Sequence, residues 1–381
     1  MLAVQFGAGN IGRGFLGQLL FEAGYEICFM DVIPELVEKL NQEGTYTIHF
    51  LEEKQAPVYV TGVSAINNRD VEAVGEKIVS ADLITTAVGA KNLKFIAPLL
   101  AGGIRLRLQR KASPLNIIAC ENAIHASDML KHEIWSHLSR EEQQAASQVI
   151  GFPNAAVDRI VTKGTESLDL DVTVESFYEW DVDRNGVKGD LPPVPGIHYT
   201  DRLEAYIERK LFVVNAMHAS MAYLGYLKGL KTTAEASNDP EIMTIVRDVG
   251  QDSGKLLEKK YNIPLAETAK FQECILKRFA NPLVSDPLLR VGRSPVRKLS
   301  AGERLVSPYV QLSQYGIQSI ALAKVIAAAM HFAPATDPEA VELQDFLSTH
   351  PVEEALEHFT GIQATSLSGQ AVLCAYKELN A

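Results

Sequence analysis

Through the first half of the chain, short apolar runs alternate with longer stretches of helical periodicity, the pattern of a parallel sheet covered by helices. Leu2–Phe6 reads as a strand that enters a glycine-rich turn, and the turn opens a helix running to about Ala23. Glu26–Met30 is a second strand, ending at Asp31. Asp82–Val88 and Leu115–Cys120 are further buried strands, with a helix around Leu93–Leu100 between them. From Asp158 to Asp183 the residues are β-branched and aromatic, and antiparallel strands there are expected to extend the sheet.

Leu191–Gly196 carries three prolines in six residues, which suits a stiff extended joint. Beyond it the periodicity turns helical. Asp201 followed by Glu204 resembles a capping box with Asp in place of Ser or Thr, and an apolar helix runs from there to about Gly225 or Gly229. Helices continue to Ala381, with loops near Asn281–Pro282 and Gly292–Pro295.

Composition sharpens this outline. At 381 residues and 47% hydrophobic, the chain exceeds one average core, so two domains are expected, 1–195 and 196–381. The formal net charge of −11 argues against nucleic acid or an anionic membrane surface as partner, and any anionic ligand needs a local basic patch. The four cysteines are scattered, with no CxxC and no zinc-type spacing, so buried free thiols and no bound metal are expected. No apolar run reaches the ~18 residues of a membrane span, and a strand starts directly at Met1 with no signal-peptide pattern. The expectation is a soluble cytoplasmic protein, monomeric or a small homo-oligomer, acting on a small molecule.

Gly7, Gly9 and Gly12 form a GxGxxG between strand and helix, the context in which it binds a dinucleotide. The first glycine permits the turn, the second lets backbone approach a pyrophosphate, and the third lets helix and strand pack. Asp31, ending the next strand, would bind ribose hydroxyls and repel a 2′-phosphate, which favours NAD over NADP; it can also cap the helix entering at Pro34. Expected cofactor contacts are Phe6, Gly7, Ala8, Gly9, Asn10, Ile11, Gly12, Asp31 and Val88.

Lys210, Asn215 and His218 are the second chemical signal. A lysine, an amide and an imidazole can take a proton from an alcohol and hold the oxyanion without a metal. The competing reading is a polar helix face, with Lys210 solvated beside Glu208 and Arg209 and His218 a hydrogen-bonded core histidine. On a regular helix Asn215 lies about 140° and His218 about 80° around from Lys210, and eight residues rise about 12 Å. Lys210 must therefore reach along the axis, or the helix must bend. Asn122, with Glu121 as the alternative, ends the strand at 115–120, where ligands of open α/β sheets bind. Arg290, Arg293, Arg297, Lys298 and Arg304 share a stretch whose only acid is Glu303, either an anion site or a solvated face.

The motifs at 6–15, 117–122, 152–160 and 290–300, with Lys210, Asn215 and His218, resemble those of the polyol-specific long-chain dehydrogenases, the mannitol dehydrogenase family. The likeness runs end to end, and Thr162 departs from the proline or serine of the family signature. It implies an α/β Rossmann-type dinucleotide-binding domain followed by a mainly α-helical C-terminal domain, with the substrate between them. It also implies reversible, metal-independent oxidation of D-mannitol 1-phosphate to D-fructose 6-phosphate with NAD. On that reading Lys210 is the general base, Asn215 and Asn122 hold the oxyanion, and His218 binds a substrate hydroxyl. Asp158 would bind polyol hydroxyls, unless it pairs with Arg159. Arg293, Arg297 and Lys298 would hold the phosphate, with Arg293 nearer the polyol. A related dehydrogenase of non-phosphorylated polyols or hexuronates is the alternative. A non-catalytic NAD sensor would need the glycines and Asp31 but not the Lys/Asn/His cluster.

Overall fold

Leu2–Phe6 is buried on both faces, as a central parallel strand must be, and forms β1 of a computed structural model that describes residues 1–52, 55–162 and 169–379. There follow α1 (Gln18–Glu22), β2 (Glu26–Asp31), α2 (Pro34–Glu43), β3 (Thr45–Phe50), β4 (Val58–Thr61), β5 (Val63–Asn67) and α3 (Val71–Ser80). Next come β6 (Leu83–Thr86), α4 (Leu93–Arg110), β7 (Leu115–Ala119), α5 (Ala126–Trp135), α6 (Arg140–Val149) and β8 (Ile150–Gly151). Six strands pair in the order β5-β2-β1-β6-β7-β8, every neighbour parallel. The order reverses between β1 and β6, and at such a switch point the loops beyond the carboxyl ends part to form a ligand crevice. One face of the sheet packs Phe15, Leu16, Leu19 and Leu20 around Phe29, and the other packs Ile78, Leu100 and Ile104 around Val4 and Phe6.

The strands after Asn154 correct an expectation. These are β9 (Ala155–Asp158), β10 (Val161–Thr162), β11 (Val172–Val174), β12 (Glu179–Asp183) and β13 (His198–Thr200). They do not extend the parallel sheet but build two others, β10-β11-β3-β4 and β13-β12-β9. Their pairing partners are β3, along which β11 lies in parallel, and one another, with β12 between β9 and β13. The loop after β12 instead packs on a face of the parallel sheet, where the Asn116 side chain on β7 accepts from the Lys188 N–H at 2.9 Å and donates to its carbonyl at 3.0 Å. A Cβ on Gly151 would collide with Asn116 Oδ1 and lie 2.8 Å from the Gly186 carbonyl oxygen, so glycine lets the loop come this close. The part of the expected β-rich run at 163–168 lies outside the described residues.

Two compact units are present, Met1–Leu203 and Glu204–Ala381. The proline-rich run at 191–196 lies inside the first, where it leads into β13, and the Tyr199 hydroxyl donates back to the Pro192 carbonyl at 2.9 Å.

The second unit is helical. It holds α7 (Leu203–Arg209, whose first residue belongs to the other unit), α8 (Ala216–Leu227), α9 (Thr233–Ser237), α10 (Pro240–Tyr261), α11 (Leu265–Ala280) and α12 (Leu288–Gly292). It ends with α13 (Pro295–Leu299), α14 (Val306–Gln314), α15 (Ile320–Met330), α16 (Pro338–Thr349), α17 (Val352–Thr360) and α18 (Leu367–Leu379). Nine of the twelve residues of α8 and nine of the eleven of α15 are buried, so these two apolar helices form the centre and the amphipathic ones wrap them. α10 comes close because it is glycine at the contact: a Cβ on Gly250 would lie 2.8 Å from Met217 Sδ and 2.6 Å from Gln272 Nε2.

Candidate active site

The glycine motif has the geometry its sequence requires. Gly7 adopts φ +91°, and a Cβ there would sit 2.5 Å from the Ala87 carbonyl oxygen. A Cβ on Gly12 would collide with the Gly7 carbonyl oxygen, whereas a Cβ on Gly9 would meet nothing within 4 Å. The tight positions are therefore the turn and the packing contact, and the open one leaves the backbone accessible to another molecule. Phe6 and Ala8 are buried, and Asn10 and Ile11 are half-buried. Asp31 braces this loop, accepting from the Ala8 N–H at 2.7 Å through one oxygen and from the Val32 and Ile33 N–H groups at 2.8 and 3.1 Å through the other. A carboxylate has about four acceptor positions, so capacity remains for a ribose hydroxyl. Val32 and Ile33 are 60% and 46% exposed, an apolar surface beside Asp31 that sequence reasoning missed. Its signal was two aliphatic residues in a turn, where polar ones are usual.

Behind the motif the helix is widened. Gly12–Gly17 forms a π-type turn, in which hydrogen bonds span five residues and some carbonyls lose their usual partners. The Tyr46 hydroxyl donates to the Arg13 carbonyl at 3.0 Å, and the Arg159 guanidinium donates to the Gly14 carbonyl at 3.1 Å. Arg159 also donates to Gln18 Oε1 at 2.8 Å and to the Glu175 carbonyl at 3.0 Å, so its guanidinium is committed to the back of the motif. Arg13 faces inward as well, donating to the Ala8 carbonyl and, at 2.9 Å, to the Leu170 carbonyl.

Glu121 and Asn122 separate cleanly. The buried Glu121 carboxylate accepts from Thr86 Oγ1 at 2.7 Å and from the Val88 and Gly89 N–H groups at 2.9 and 2.8 Å. It fastens the loop after β6 and fixes Val88 near Gly7. Asn122, one residue on, is exposed. Asp158 is half-buried at the end of β9, opposite Glu179 on β12.

In the second unit the helix does not run regular through this stretch. Lys210–Asn215 is another π-type turn, with the Ala216 N–H donating to the Leu211 carbonyl five residues back. Five positions there span little more than one turn, instead of a turn plus about 140° as in a regular helix. Lys210 and Asn215 are drawn toward one face, and His218 follows at helical spacing from Asn215. Exposure agrees: between Lys210 and Ser220 only Lys210, Leu211, Asn215 and His218 are not buried. The Phe212 carbonyl left over by the widening accepts from Ser253 Oγ at 2.7 Å.

The His218 imidazole stacks on Phe279, with ring centroids 4.8 Å apart and planes 16° apart, and its Nε2 stands 3.5 Å from Asp286 Oδ2. Burial holds its pKa well below the usual imidazole value, and Asp286 offsets this only in part. His218 is therefore neutral at pH 7 and keeps one ring nitrogen as acceptor.

The basic stretch divides into an interior and a surface. Lys298 is buried, its ammonium donating to the Val291 carbonyl and, at 2.7 Å, to the Arg293 carbonyl, so it caps the end of α12. Burial first, then Arg304, Arg297 and Arg293, push its pKa down to about 7, and Glu303 opposes them. The Tyr223 hydroxyl donates to the Gly292 carbonyl at 3.0 Å, which fixes the same bend from the core side. Ser294 follows at φ +60°, its N–H donating to Asp337 Oδ2 at 2.7 Å. Arg293 and Arg297 are exposed, and Arg297 pairs with Glu303 at 2.8 Å. Arg290 pairs instead with Asp286, the neighbour of His218. Among the described residues no group of three or more His, Cys, Asp and Glu could hold a metal ion.

Two expectations follow. Gly9→Ala should leave the urea-unfolding midpoint unchanged and weaken NADH binding at least tenfold in a fluorescence titration, whereas Gly12→Ala should lose both; equal NADH affinity for Gly9→Ala and wild type would refute the open approach. Because the folded state disfavours His218 protonation and the unfolded state does not, stability falls as pH drops below the unfolded value of about 6.5. The midpoint measured between pH 7.5 and 5 should decline less steeply in His218→Gln.

A profile of the mannitol dehydrogenase Rossmann domain matches residues 1–196, and one of the mannitol dehydrogenase C-terminal domain matches residues 202–372. The chain is 48% identical to a mannitol-1-phosphate 5-dehydrogenase of Brevibacillus brevis, over 96% of this chain and 94% of that one. It is 45% identical to the mannitol-1-phosphate 5-dehydrogenase of Bacillus subtilis, over 96% of each. In fold it is similar to a D-sorbitol dehydrogenase in substrate-free form (TM-score 0.85, 16% identity, 99% of this chain and 93% of that one). It is likewise similar to the Pseudomonas fluorescens mannitol 2-dehydrogenase in a ternary complex with NAD and D-mannitol (TM-score 0.73, 17% identity, 100% of this chain and 91% of that one). With the two profiles matching 1–196 and 202–372, the chain belongs to the mannitol dehydrogenase family.

Proposed function

We propose that this protein catalyses the reversible, metal-independent oxidation of D-mannitol 1-phosphate to D-fructose 6-phosphate with NAD. The 48% and 45% identical relatives that carry this activity in their names support the substrate, and family membership supports the chemistry. The observation that carries the mechanism is the stripe of Lys210, Asn215 and His218, partly exposed on a helix otherwise buried.

The open approach at Gly9, the widened helix start behind it and the carboxylate of Asp31 fit a dinucleotide with a free ribose 2′-hydroxyl. NAD, when bound, supplies the hydride acceptor. Lys210 takes the hydroxyl proton as the carbinol hydrogen leaves with its electron pair, so a ketone forms and the lysine holds the proton. Asn215 donates to the oxygen while it carries negative charge, and Asn122 is a second donor of the same kind. Neutral His218, steadied by Phe279 and Asp286, accepts from a neighbouring hydroxyl, and Asp158 binds another. Arg293 and Arg297 hold the phosphate, with Lys298 acting from beneath through the Arg293 carbonyl. The reaction is cytoplasmic.

Lys210→Ala should lower kcat at least a hundredfold with NADH affinity unchanged, the size expected for removing a general base. A kcat within threefold of wild type would exclude Lys210 as the base. Arg297→Ala should raise KM for D-mannitol 1-phosphate about tenfold or more and leave turnover of D-mannitol unaltered. Equal effects on the two substrates would remove Arg297 from the phosphate site.

A further inference from the structure

We propose that Ser253, on α10, is a positioning residue for the oxidation, its hydroxyl holding open the widened turn that aligns Lys210 with Asn215. The inference rests on the reading of Lys210 as the base.

In a regular helix the Ala216 N–H would bond to the Phe212 carbonyl four residues back. Here it bonds to the Leu211 and Val213 carbonyls instead, and Phe212 is 1% exposed, out of reach of solvent. A buried carbonyl left without a donor is strongly disfavoured, so the turn persists only if a donor comes from elsewhere. Ser253 Oγ supplies it at 2.7 Å, from a side chain that is fully buried.

The direction of this bond is informative. A serine inside a helix commonly returns its hydroxyl to the carbonyl four residues back in its own helix, as Ser220 does to Ala216 at 2.7 Å. Ser253 crosses to another element. Gly250, one turn earlier, lets α10 approach closely enough for it to do so, since any Cβ there would press on Met217 at 2.8 Å. Without the hydroxyl, the Phe212 carbonyl regains a partner only by taking back the Ala216 N–H. That closes the turn to regular geometry and swings Lys210 by roughly 100° relative to Asn215. Ser253 touches no reacting atom, so its effect falls on the alignment of base and oxyanion donor rather than on substrate affinity.

The test compares Ser253→Ala, Ser253→Cys and Ser253→Thr with wild type and Lys210→Ala, in steady-state oxidation of D-mannitol 1-phosphate across pH 6 to 10. We expect kcat to fall tenfold to a hundredfold in Ser253→Ala, the scale of a small misplacement of a catalytic group. KM and NADH affinity should stay within threefold, and the acid-side fall of kcat should flatten or move. Ser253→Cys keeps the volume but is a weak donor, so it should resemble Ser253→Ala; it also provides the reading if the alanine variant does not fold. Ser253→Thr, which keeps the hydroxyl, should recover most of kcat. A lower melting temperature with kcat and pH profile unchanged in both Ser253→Ala and Ser253→Cys would overturn the proposal and leave Ser253 a packing residue. If Lys210→Ala itself keeps wild-type kcat, the reading of the base has failed, and the alignment role fails with it. If Lys210→Ala is inactive while the Ser253 variants are fully active, only the alignment role has failed.

Discussion

A backbone carbonyl shut away from water must find a donor, and leaving one unpaired costs about 1–3 kcal/mol. Two widened helical turns meet that requirement, one behind the glycine motif and one along the stretch from Lys210 to His218. At Gly12–Gly17 the carbonyls of Arg13 and Gly14 accept from Tyr46 and Arg159. At Lys210–Asn215 the Phe212 carbonyl is taken by Ser253. In both cases a side chain from another element donates to a carbonyl of the widened turn. Burial keeps the Tyr46 phenol protonated, as a donor must be. The first turn backs the Gly7–Gly12 loop; the second brings polar groups, otherwise scattered around a helix, toward one line.

Electrostatics is arranged in the same layered way. The chain carries net charge −11, yet the α12–α13 bend gathers cations. The lowest of them, Lys298, is dehydrated, and its pKa is pushed down to about 7. It binds main-chain carbonyls, while Arg293 and Arg297 keep their guanidinium groups at the surface. Guanidinium tolerates crowding because it stays charged, whereas a buried ammonium beside three arginines does not hold its proton so firmly. Glu121 follows the same logic on the other unit: a buried carboxylate spent on two N–H groups and a hydroxyl makes the loop that Val88 and Gly89 form a fixed wall.

Much of the first unit was legible in the sequence because its signals are local. β1, β2, β6 and β7 are apolar runs bounded by turns, and GxGxxG states its own backbone requirements. The strands β3, β4 and β5 escaped notice because they are short and half-exposed, even though β3 alternates between buried Tyr46 and Ile48 and more exposed neighbours. Antiparallel strands were expected to join the parallel sheet because propensity shows a strand and not its partner; β11 pairs instead with β3, more than 120 residues earlier in sequence. The Lys/Asn/His cluster was visible as chemistry but not as geometry. A regular helix puts Asn215 about 140° from Lys210, and the conflict with a shared site pointed to a long reach by Lys210 or to a bend. The widened turn resolves it, and it was illegible because its cause, Ser253, is a contact between helices. Lys298 likewise looked like its arginine neighbours until burial distinguished it.

The claim at the centre is that Lys210 serves as a proton acceptor and not merely as a positive charge. Chemical rescue tests it most directly: turnover of D-mannitol 1-phosphate by Lys210→Ala, measured with increasing concentrations of small primary amines at fixed pH and ionic strength. If Lys210 is the proton acceptor, the rate rises with the concentration of the unprotonated amine and is greater for more basic amines of equal size. A rate that follows the protonated amine instead, or ignores amines altogether, would contradict it.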